Sequence, residues 1–212
     1  MKSPIVAVLL LTPALAFGQK FQDVTPKGGP LSLSAAIDPT DHQPYITAHN
    51  NSGKGVLALS AVFESTDVKG ETMPGVTRQD YAFEKGVMGP KEERGIAPLM
   101  RPEETVKIDH AEGAVLFVQF EDGSIWGDSE AGKQILSTRP QRLEFLKHLV
   151  ETYYTGGEAA FNTVLNQPQF SSPESSVAGC LKADAEYEKI TTVELAKKRL
   201  ADALEWRAVG IF

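Results

Sequence analysis

Short apolar and β-branched runs separated by turn residues fill the chain between positions 31 and 126. Residues 31–34 alternate apolar and polar side chains with a period of two, which places one face of a strand in a core. The predicted strands are residues 31–34, 45–49, 56–63, 104–108, 114–120 and 124–126. Many short strands at this spacing are typical of an all-β sandwich or barrel.

Turn residues separate several of these strands. Residues 50–54 are polar and contain Asn and Gly, which accept the positive φ of tight turns, so they predict a connection between two strands. Asp122-Gly123 predicts a hairpin that leads into residues 124–126. Glycines and prolines interrupt every long run between positions 66 and 102, and we expect an edge region with long loops there.

The periodicity becomes helical after Trp126. A first helix is indicated by an apolar stripe made of Leu143, Leu146, Leu149, Val150 and Tyr153. Ser137 or Thr138 can cap this helix, and Pro140 suits its first turn. The helix is expected to stop at residues 156–157, which are both Gly.

Further helices are expected towards the end of the chain. A short one is predicted over residues 158–166, and residues 171–176 are a linker or a helix start. Thr191 and Glu194 fit the capping box of a last helix that runs to about Arg207, with Leu200 and Leu204 in its apolar stripe. Residues 177–189 fit either a helix or a strand.

These patterns predict an α+β protein, in which an antiparallel immunoglobulin-like β-sandwich is followed by a C-terminal helical region. We expect the sandwich over residues 19–130 and the helical region over residues 131–212, packed on the sandwich because apolar helix stripes need a surface to cover them. Segments 50–54 and 120–128 resemble those of uncharacterised bacterial secreted proteins that have an immunoglobulin-like sandwich and a helical tail. The resemblance implies a bacterial envelope context and supplies no catalytic residue.

The first 18 residues have the three-part layout of a secretory signal peptide. Lys2 is positively charged, residues 5–11 are all apolar, and Ala14-Leu15-Ala16 offers small residues for cleavage after Ala16 or Gly18. The alternative, a membrane anchor, needs about 20 apolar residues, more than this segment contains. We therefore expect a secreted or periplasmic protein with no membrane span after cleavage.

Composition and charge narrow the classes of partner. The 212 residues are 42% hydrophobic and 23% charged, as in soluble globular proteins, and the formal net charge is -7. An acidic protein has no overall electrostatic attraction for a phosphate backbone, so we expect no nucleic-acid partner. Cys180 is the single cysteine, which excludes an internal disulfide. We interpret Cys180 as a small buried residue, with a reactive or intermolecularly paired thiol as the alternative.

Motifs of the commonest enzyme classes do not occur in the sequence. It contains no Gly-x-Ser-x-Gly elbow, His-Glu-x-x-His zinc motif or phosphate-binding glycine loop. The adjacent pairs Glu92-Glu93 and Glu103-Glu104 point to opposite faces of any strand, so neither pair can flank one glycosidic bond. Trp126 and Trp206 are expected to pack in the core rather than stack on sugars.

Four histidines, His42, His49, His110 and His148, are the candidate metal ligands. Two Asp-His pairs at positions 41–42 and 109–110 could meet His49 in the fold, but no spacing fixes two ligands on one element. Glu144, His148 and Glu151 share one helix face, which we interpret as solvated. We predict no metal, no cofactor and no catalytic residue.

The sequence thus favours a non-enzymatic binding or interaction module of the bacterial envelope, with an unknown protein or envelope component as its partner. The alternative is a hydrolase or carbohydrate-active enzyme whose site is built from loops. A purely structural role in envelope assembly has the same sequence features. A carboxylate pair or histidine cluster in a pocket would favour the enzyme, whereas an apolar patch or open strand edge would favour the interaction module.

Overall fold

Eight strands precede three helices in the computed structural model, which describes residues 21–37, 44–84, 86–98, 108–168 and 172–211. The strands are β1 (Phe21–Asp23), β2 (Leu31–Ile37), β3 (Pro44–Asn50), β4 (Val56–Asp67), β5 (Thr72–Asp80), β6 (Glu93–Pro98), β7 (Ile108–Phe120) and β8 (Ile125–Gly127). The helices are α1 (Ser129–Leu165), α2 (Pro173–Glu188) and α3 (Thr192–Ala208). The predicted signal peptide lies outside the described residues.

The strands form two sheets, and the predicted α+β architecture of a sandwich followed by helices is confirmed. The larger sheet has the order β1-β7-β4-β5, with β8 also paired to β7, and the smaller sheet has the order β2-β3-β6. The sandwich was expected to be antiparallel, and this is wrong at one edge of the larger sheet, because β1 pairs with β7 in parallel. Residues 66–102 were expected to be an edge region, and they supply the edge strands β5 and β6.

Alternating apolar residues on the two sheets make the sandwich core. Leu31 and Leu33 of β2 point inward with Ile46 and Ala48 of β3, and each of the four is at most 5% exposed. They pack on residues of the larger sheet, among them Leu59, Ala61, Val115 and Val118. The intervening residues of β2 and β3 therefore lie on the outer face of the smaller sheet.

Side chains from the larger sheet bind the free edges of the smaller one. The Asp23 carboxylate accepts a hydrogen bond from the Leu33 backbone N–H at 2.8 Å, on the β2 side. On the β6 side, the Thr77 hydroxyl and the Gln79 amide donate to the Ile96 carbonyl at 2.8 Å and 3.0 Å. The two sheets are thus connected along both of their margins.

Helix α1 begins at Ser129, and the predicted cap at Ser137 or Thr138 is wrong. Asp128 is the N-cap and accepts a hydrogen bond from the Glu130 N–H at 2.9 Å. Pro140 lies inside the helix at an exposed position, between the buried residues Arg139 and Leu143. Gly157 has a non-helical backbone, and two helical parts of α1 meet there at a kink, so the break expected at the glycine pair and the helix expected over residues 158–166 are confirmed.

The other two helices resolve what the sequence left open. Ser172 caps α2, which makes residues 177–188 helical, with Val177, Leu181 and Ala185 buried at intervals of four. The capping box of Thr191 and Glu194 is confirmed at the start of α3. Leu204 is 41% exposed, so its expected place in the buried stripe is wrong.

The helices share a second core with the larger sheet. It contains Leu146, Leu181 and Leu195 from the helices together with Leu57 of β4 and Phe83, which follows β5. Ile135 of α1 also contacts Phe117 and Ala58 on the outer face of this sheet. The helices therefore cover the larger sheet, and the segment between β5 and β6 lies where sandwich and helices meet.

Candidate functional site

Three polar side chains on the smaller sheet form a hydrogen-bonded chain. The three are Ser34, His49 and Glu93. His49 is opposite Ser32 in the β2–β3 register and opposite Glu93 in the β3–β6 register, so His49, Ser32 and Glu93 project from the outer face. Ser34, one step along β2 on that face, places its Oγ 2.6 Å from His49 Nε2. The other ring nitrogen, Nδ1, lies 3.0 Å from Glu93 Oε1.

The Glu93 carboxylate fixes the tautomer of a neutral His49 ring. An ionised carboxylate can only accept hydrogen bonds, so Nδ1 must carry the proton. Nε2 is then an acceptor, and the Ser34 hydroxyl donates to it. The side chains of His49 and Glu93 are 27% and 65% exposed, so the chain runs from a half-buried serine to a solvated acid.

Asn50 positions β6 beside β3 and thereby places Glu93. Its side-chain amide is buried and donates to the carbonyls of Lys54, Met88 and Gly89 at 2.8–3.1 Å. Its backbone N–H donates to the Glu92 carbonyl at 3.0 Å. The turn predicted at residues 50–54 is therefore tied to the segment that leads into β6.

A cleft of about 430 Å³ lies between β6 and α2. Its lining residues are Glu92, Glu93, Arg94 and Gly95 from the β6 side and Asp184, Tyr187 and Glu188 from α2. The charged groups that line the cleft are thus four carboxylates and one guanidinium. Tyr187 is 88% exposed and presents its ring to any ligand in the cleft.

Arg94 holds one wall of this cleft in shape. Its guanidinium donates to Glu92 Oε1 at 2.5 Å and to the carbonyls of Gly86 and Val87 at 2.6 Å and 2.9 Å. It also stacks over the Tyr81 ring, 4.8 Å from the centroid. Partial burial acts against ionisation of Glu92, but the hydrogen bonds from Arg94 and the Gly89 N–H lower the pKa of Glu92. Glu92 therefore stays ionised.

Salt bridges on the α2 wall link the cleft to the helical core. Arg199 of α3 is 4% exposed and lies 3.5 Å from Asp184 and 3.9 Å from Glu188. Lys198 also approaches Glu188, at 3.6 Å. The carboxylates of α2 thus have cationic neighbours on their inner side and the open cleft on the other.

A second charged cluster is buried where β5 meets α1. Asp80 is 1% exposed and accepts hydrogen bonds from Arg139 Nε and Nη2 at 2.9–3.2 Å. Arg142 donates to Asp80 at 3.3 Å and lies 3.9 Å from Glu84. Buried charges of this kind need such partners, since removing one leaves the other desolvated and uncompensated.

Glu84 is the member of this cluster with the most perturbed ionisation. Burial raises its pKa to about 7, Arg142 opposes this rise, and the Asp80 charge adds to it. Arg139 and Glu84 are buried in the interior, whereas Asp80 and Arg142 also border an opening of about 490 Å³ between β5, α1 and the start of α2. We therefore assign the cluster to the junction of sandwich and helices.

The residues singled out in the sequence are not brought together as one site. Asp41 and His42 lie outside the described residues, His148 is exposed on α1, and His110 lies 3.7 Å from its neighbour Asp109 at an exposed position. Within the described ranges, no three His, Cys, Asp or Glu side chains could hold a metal ion. Glu144 and Glu151 are exposed, and Cys180 is half-buried rather than buried.

The tryptophans pack against different cores. Trp126 is partly buried against the sandwich core and Trp206 against the helical core. Of the residues that now stand out, Ser34 was visible in the sequence only as a polar position in an alternating strand. Glu93 was visible only as half of an adjacent pair, which the structure separates, because Glu92 turns to Arg94 and Glu93 to His49.

Comparisons with family models, curated proteins and solved structures found no match to this chain. Among the described helices, none is both long and apolar enough to cross a bilayer.

Proposed function

We propose that this chain is a binding or interaction module of the bacterial envelope, and that its ligand is a cationic segment bound between β6 and α2. The supporting observation is the cleft, which is lined by four carboxylates together with the exposed Tyr187. Carboxylates in a pocket were the feature expected of an enzyme, but Glu92 is paired with Arg94 and Asp184 with Arg199, so we interpret them as a binding surface for cations rather than as an acid–base pair.

Two physical effects favour a Lys- or Arg-rich ligand. The carboxylates of the cleft complement a positive charge, and the net charge of -7 raises the rate at which cations approach. The Tyr187 ring can in addition contact a cation through its face, an interaction worth about 0.5–1 kcal/mol at an exposed site. Arg94 is already hydrogen-bonded to the protein, so it does not compete strongly for an anionic ligand.

Fluorescence anisotropy with a labelled peptide of alternating lysine and glycine tests this proposal. We expect this peptide to bind and a glutamate–glycine peptide not to bind. Tyr187→Ala and Glu188→Gln should each weaken the affinity about two- to fivefold. Tyr154→Ala and Glu186→Gln are matched controls, because both residues are exposed outside the cleft and the latter changes the net charge equally.

The controls separate a site from general attraction. If Glu186→Gln weakened lysine-peptide binding as much as Glu188→Gln, the peptide would be held by the overall charge and the cleft proposal would be wrong.

Export to the envelope is the second half of the proposal and rests on the sequence layout of residues 1–18. Intact-mass measurement of the protein from its native host should show that the first 16 or 18 residues are lost. Recovery of the full-length chain from the cytoplasm would contradict export.

A further inference from the structure

We propose that Ser34 is an activated nucleophile that accepts the acyl group of a small carboxylic ester, with His49 as its general base and Glu93 as the positioning residue. This activity goes beyond binding at the cleft, with which it shares Glu93 and Gly95, while Ser34 and His49 lie outside the cleft lining. It belongs to the hydrolase class that the sequence left as an alternative, but its residues lie on the strands β2, β3 and β6 rather than on the loops expected there.

The geometry is that of a serine–histidine–acid triad. A serine hydroxyl is a weak nucleophile unless a base within about 2.6–3.2 Å removes its proton and a third group orients that base. Ser34 Oγ lies 2.6 Å from His49 Nε2, and His49 Nδ1 lies 3.0 Å from Glu93. Each of the three roles is therefore filled by the correct atom.

The donor and acceptor of each hydrogen bond in the triad follow from the protonation of the groups as well as from their positions. Glu93 holds the proton of neutral His49 on Nδ1, so the lone pair of Nε2 is directed at the Ser34 hydroxyl. Strand pairing holds each of the three residues on a rigid sheet. The base is therefore oriented before any substrate arrives, as nucleophile activation requires.

Gly95 leaves space for a substrate beside the triad. It is opposite Thr47 and adjacent to Glu93 on the same face, and a Cβ built at Gly95 would meet only the Tyr45 ring, at 3.8 Å. Thr47 is in turn opposite Ser34, so its side chain lies on the same outer face as the triad. We assign the small acyl group to this open face beside Gly95, with Thr47 as the nearby side-chain donor.

The reaction balances without a cofactor. Ser34 Oγ attacks the ester carbonyl carbon while its proton passes to His49 Nε2, and the C–O bond to the leaving alcohol breaks as that alcohol takes the proton. Water then attacks the acyl-serine, again giving a proton to His49, which returns it to Ser34 Oγ as the carboxylic acid leaves. Nothing is oxidised or reduced.

Two probes test the proposal on the full chain: 4-nitrophenyl acetate for turnover and a fluorophosphonate for covalent labelling. We expect one fluorophosphonate adduct per chain, mapped to Ser34 by peptide mass. Ser34→Ala should abolish the adduct and lower acetate hydrolysis on the order of 10²-fold. Ser32→Ala, on the same strand and face, is the matched control and should change neither readout.

Further variants test the roles of the other residues. Glu93→Gln should lower kcat without raising KM, since an amide that donates to Nδ1 favours the wrong tautomer. Gly95→Val should raise KM because its side chain fills the acyl space. Each substitution alters a surface position and should leave the fold intact. Circular dichroism of each variant checks this.

Three results would overturn the proposal: no adduct on the folded wild-type protein, an adduct on a residue other than Ser34, or hydrolysis that survives Ser34→Ala but is lost in His49→Phe. The last result would make the imidazole itself the nucleophile. Glu93 also lines the cleft, so the Ser34 readouts are the ones that separate the two proposals: loss of the adduct in Ser34→Ala should leave lysine-peptide binding at the cleft unchanged.

Discussion

Glu84 is a carboxylic acid whose surroundings favour its neutral form. Burial is the main cause, Arg142 is too distant at 3.9 Å to compensate fully, and the carboxylates of Asp80 and Asp184 repel a further negative charge. Asp80, by contrast, has direct hydrogen bonds from Arg139 and Arg142. Two acids in one buried cluster thus have different roles, and the difference follows from which of them contacts the guanidinium groups.

The raised pKa of Glu84 makes stability depend on pH. The pKa rises from 4.5 to about 7 on folding, so between these values the folded protein binds a proton that the unfolded chain has lost. The free energy of unfolding therefore falls as pH increases through this window. Glu84→Gln removes that dependence and should gain on the order of 3 kcal/mol relative to wild type between pH 4 and pH 8.

Urea unfolding at several pH values measures this difference. The exposed Glu151→Gln is the control and should follow the wild-type profile. Parallel profiles for Glu84→Gln and wild type would show that Glu84 is ionised in the folded protein.

Helix α1 shows how far sequence patterns predict an element. The apolar stripe from Leu143 to Val150 was visible and is buried, but the helix starts at Ser129 rather than at the cap expected near Pro140. Proline fits the first turn best, and this preference suggested a start that tertiary contacts override. Gly132 and Ile135 are buried against the larger sheet, and that contact holds the earlier turns in place.

The bend at Gly157 should not tolerate a side chain. Its φ of 71° with ψ of -168° lies in a region that only glycine occupies readily. Gly157→Ala should therefore lower the free energy of unfolding by about 1–3 kcal/mol. Gly179→Ala is the opposite case, because Gly179 lies within α2 with nothing near its Cβ position, and it should stabilise the protein by about 0.5–1 kcal/mol.

Chemical denaturation of the two variants measures both the loss of stability expected for Gly157→Ala and the gain expected for Gly179→Ala. A Gly157→Ala protein as stable as wild type would mean that the two parts of α1 join as a straight helix.

At the scale of the whole molecule, sandwich and helices share buried residues and should unfold together. Leu146 is 0% exposed in the core that also contains Leu57 and Phe83, so Leu146→Ala should lower stability by about 2–5 kcal/mol. Leu204→Ala is a matched change at a 41% exposed position and should cost about 0.5 kcal/mol or less.

Calorimetry of these leucine variants should show one transition in each case, displaced to lower temperature by Leu146→Ala. Two separate transitions, of which Leu146→Ala moved only one, would identify the helices as an independent unit.

The site formed by Ser34, His49 and Glu93 depends on pairing between strands that are far apart in the sequence. His49 could be singled out by residue type, and the alternation of residues 31–34 places Ser34 on the outer face of its strand. The contact between them needs the β2–β3 register, and Glu93 needs a third strand from a segment rich in Gly and Pro. Cross-strand chemistry of this kind cannot be derived from spacing, because register depends on the whole fold.

The bonds along the two margins of the smaller sheet have a consequence for the protein at high concentration. An unpaired strand is a template on which another chain can add and begin a fibril. Here a second molecule would first have to displace Asp23 from β2, or Thr77 and Gln79 from β6. These three side chains occupy hydrogen-bonding groups of the edge strands and so hinder self-association of the sheet. A chain that lacked them should aggregate before it lost its fold.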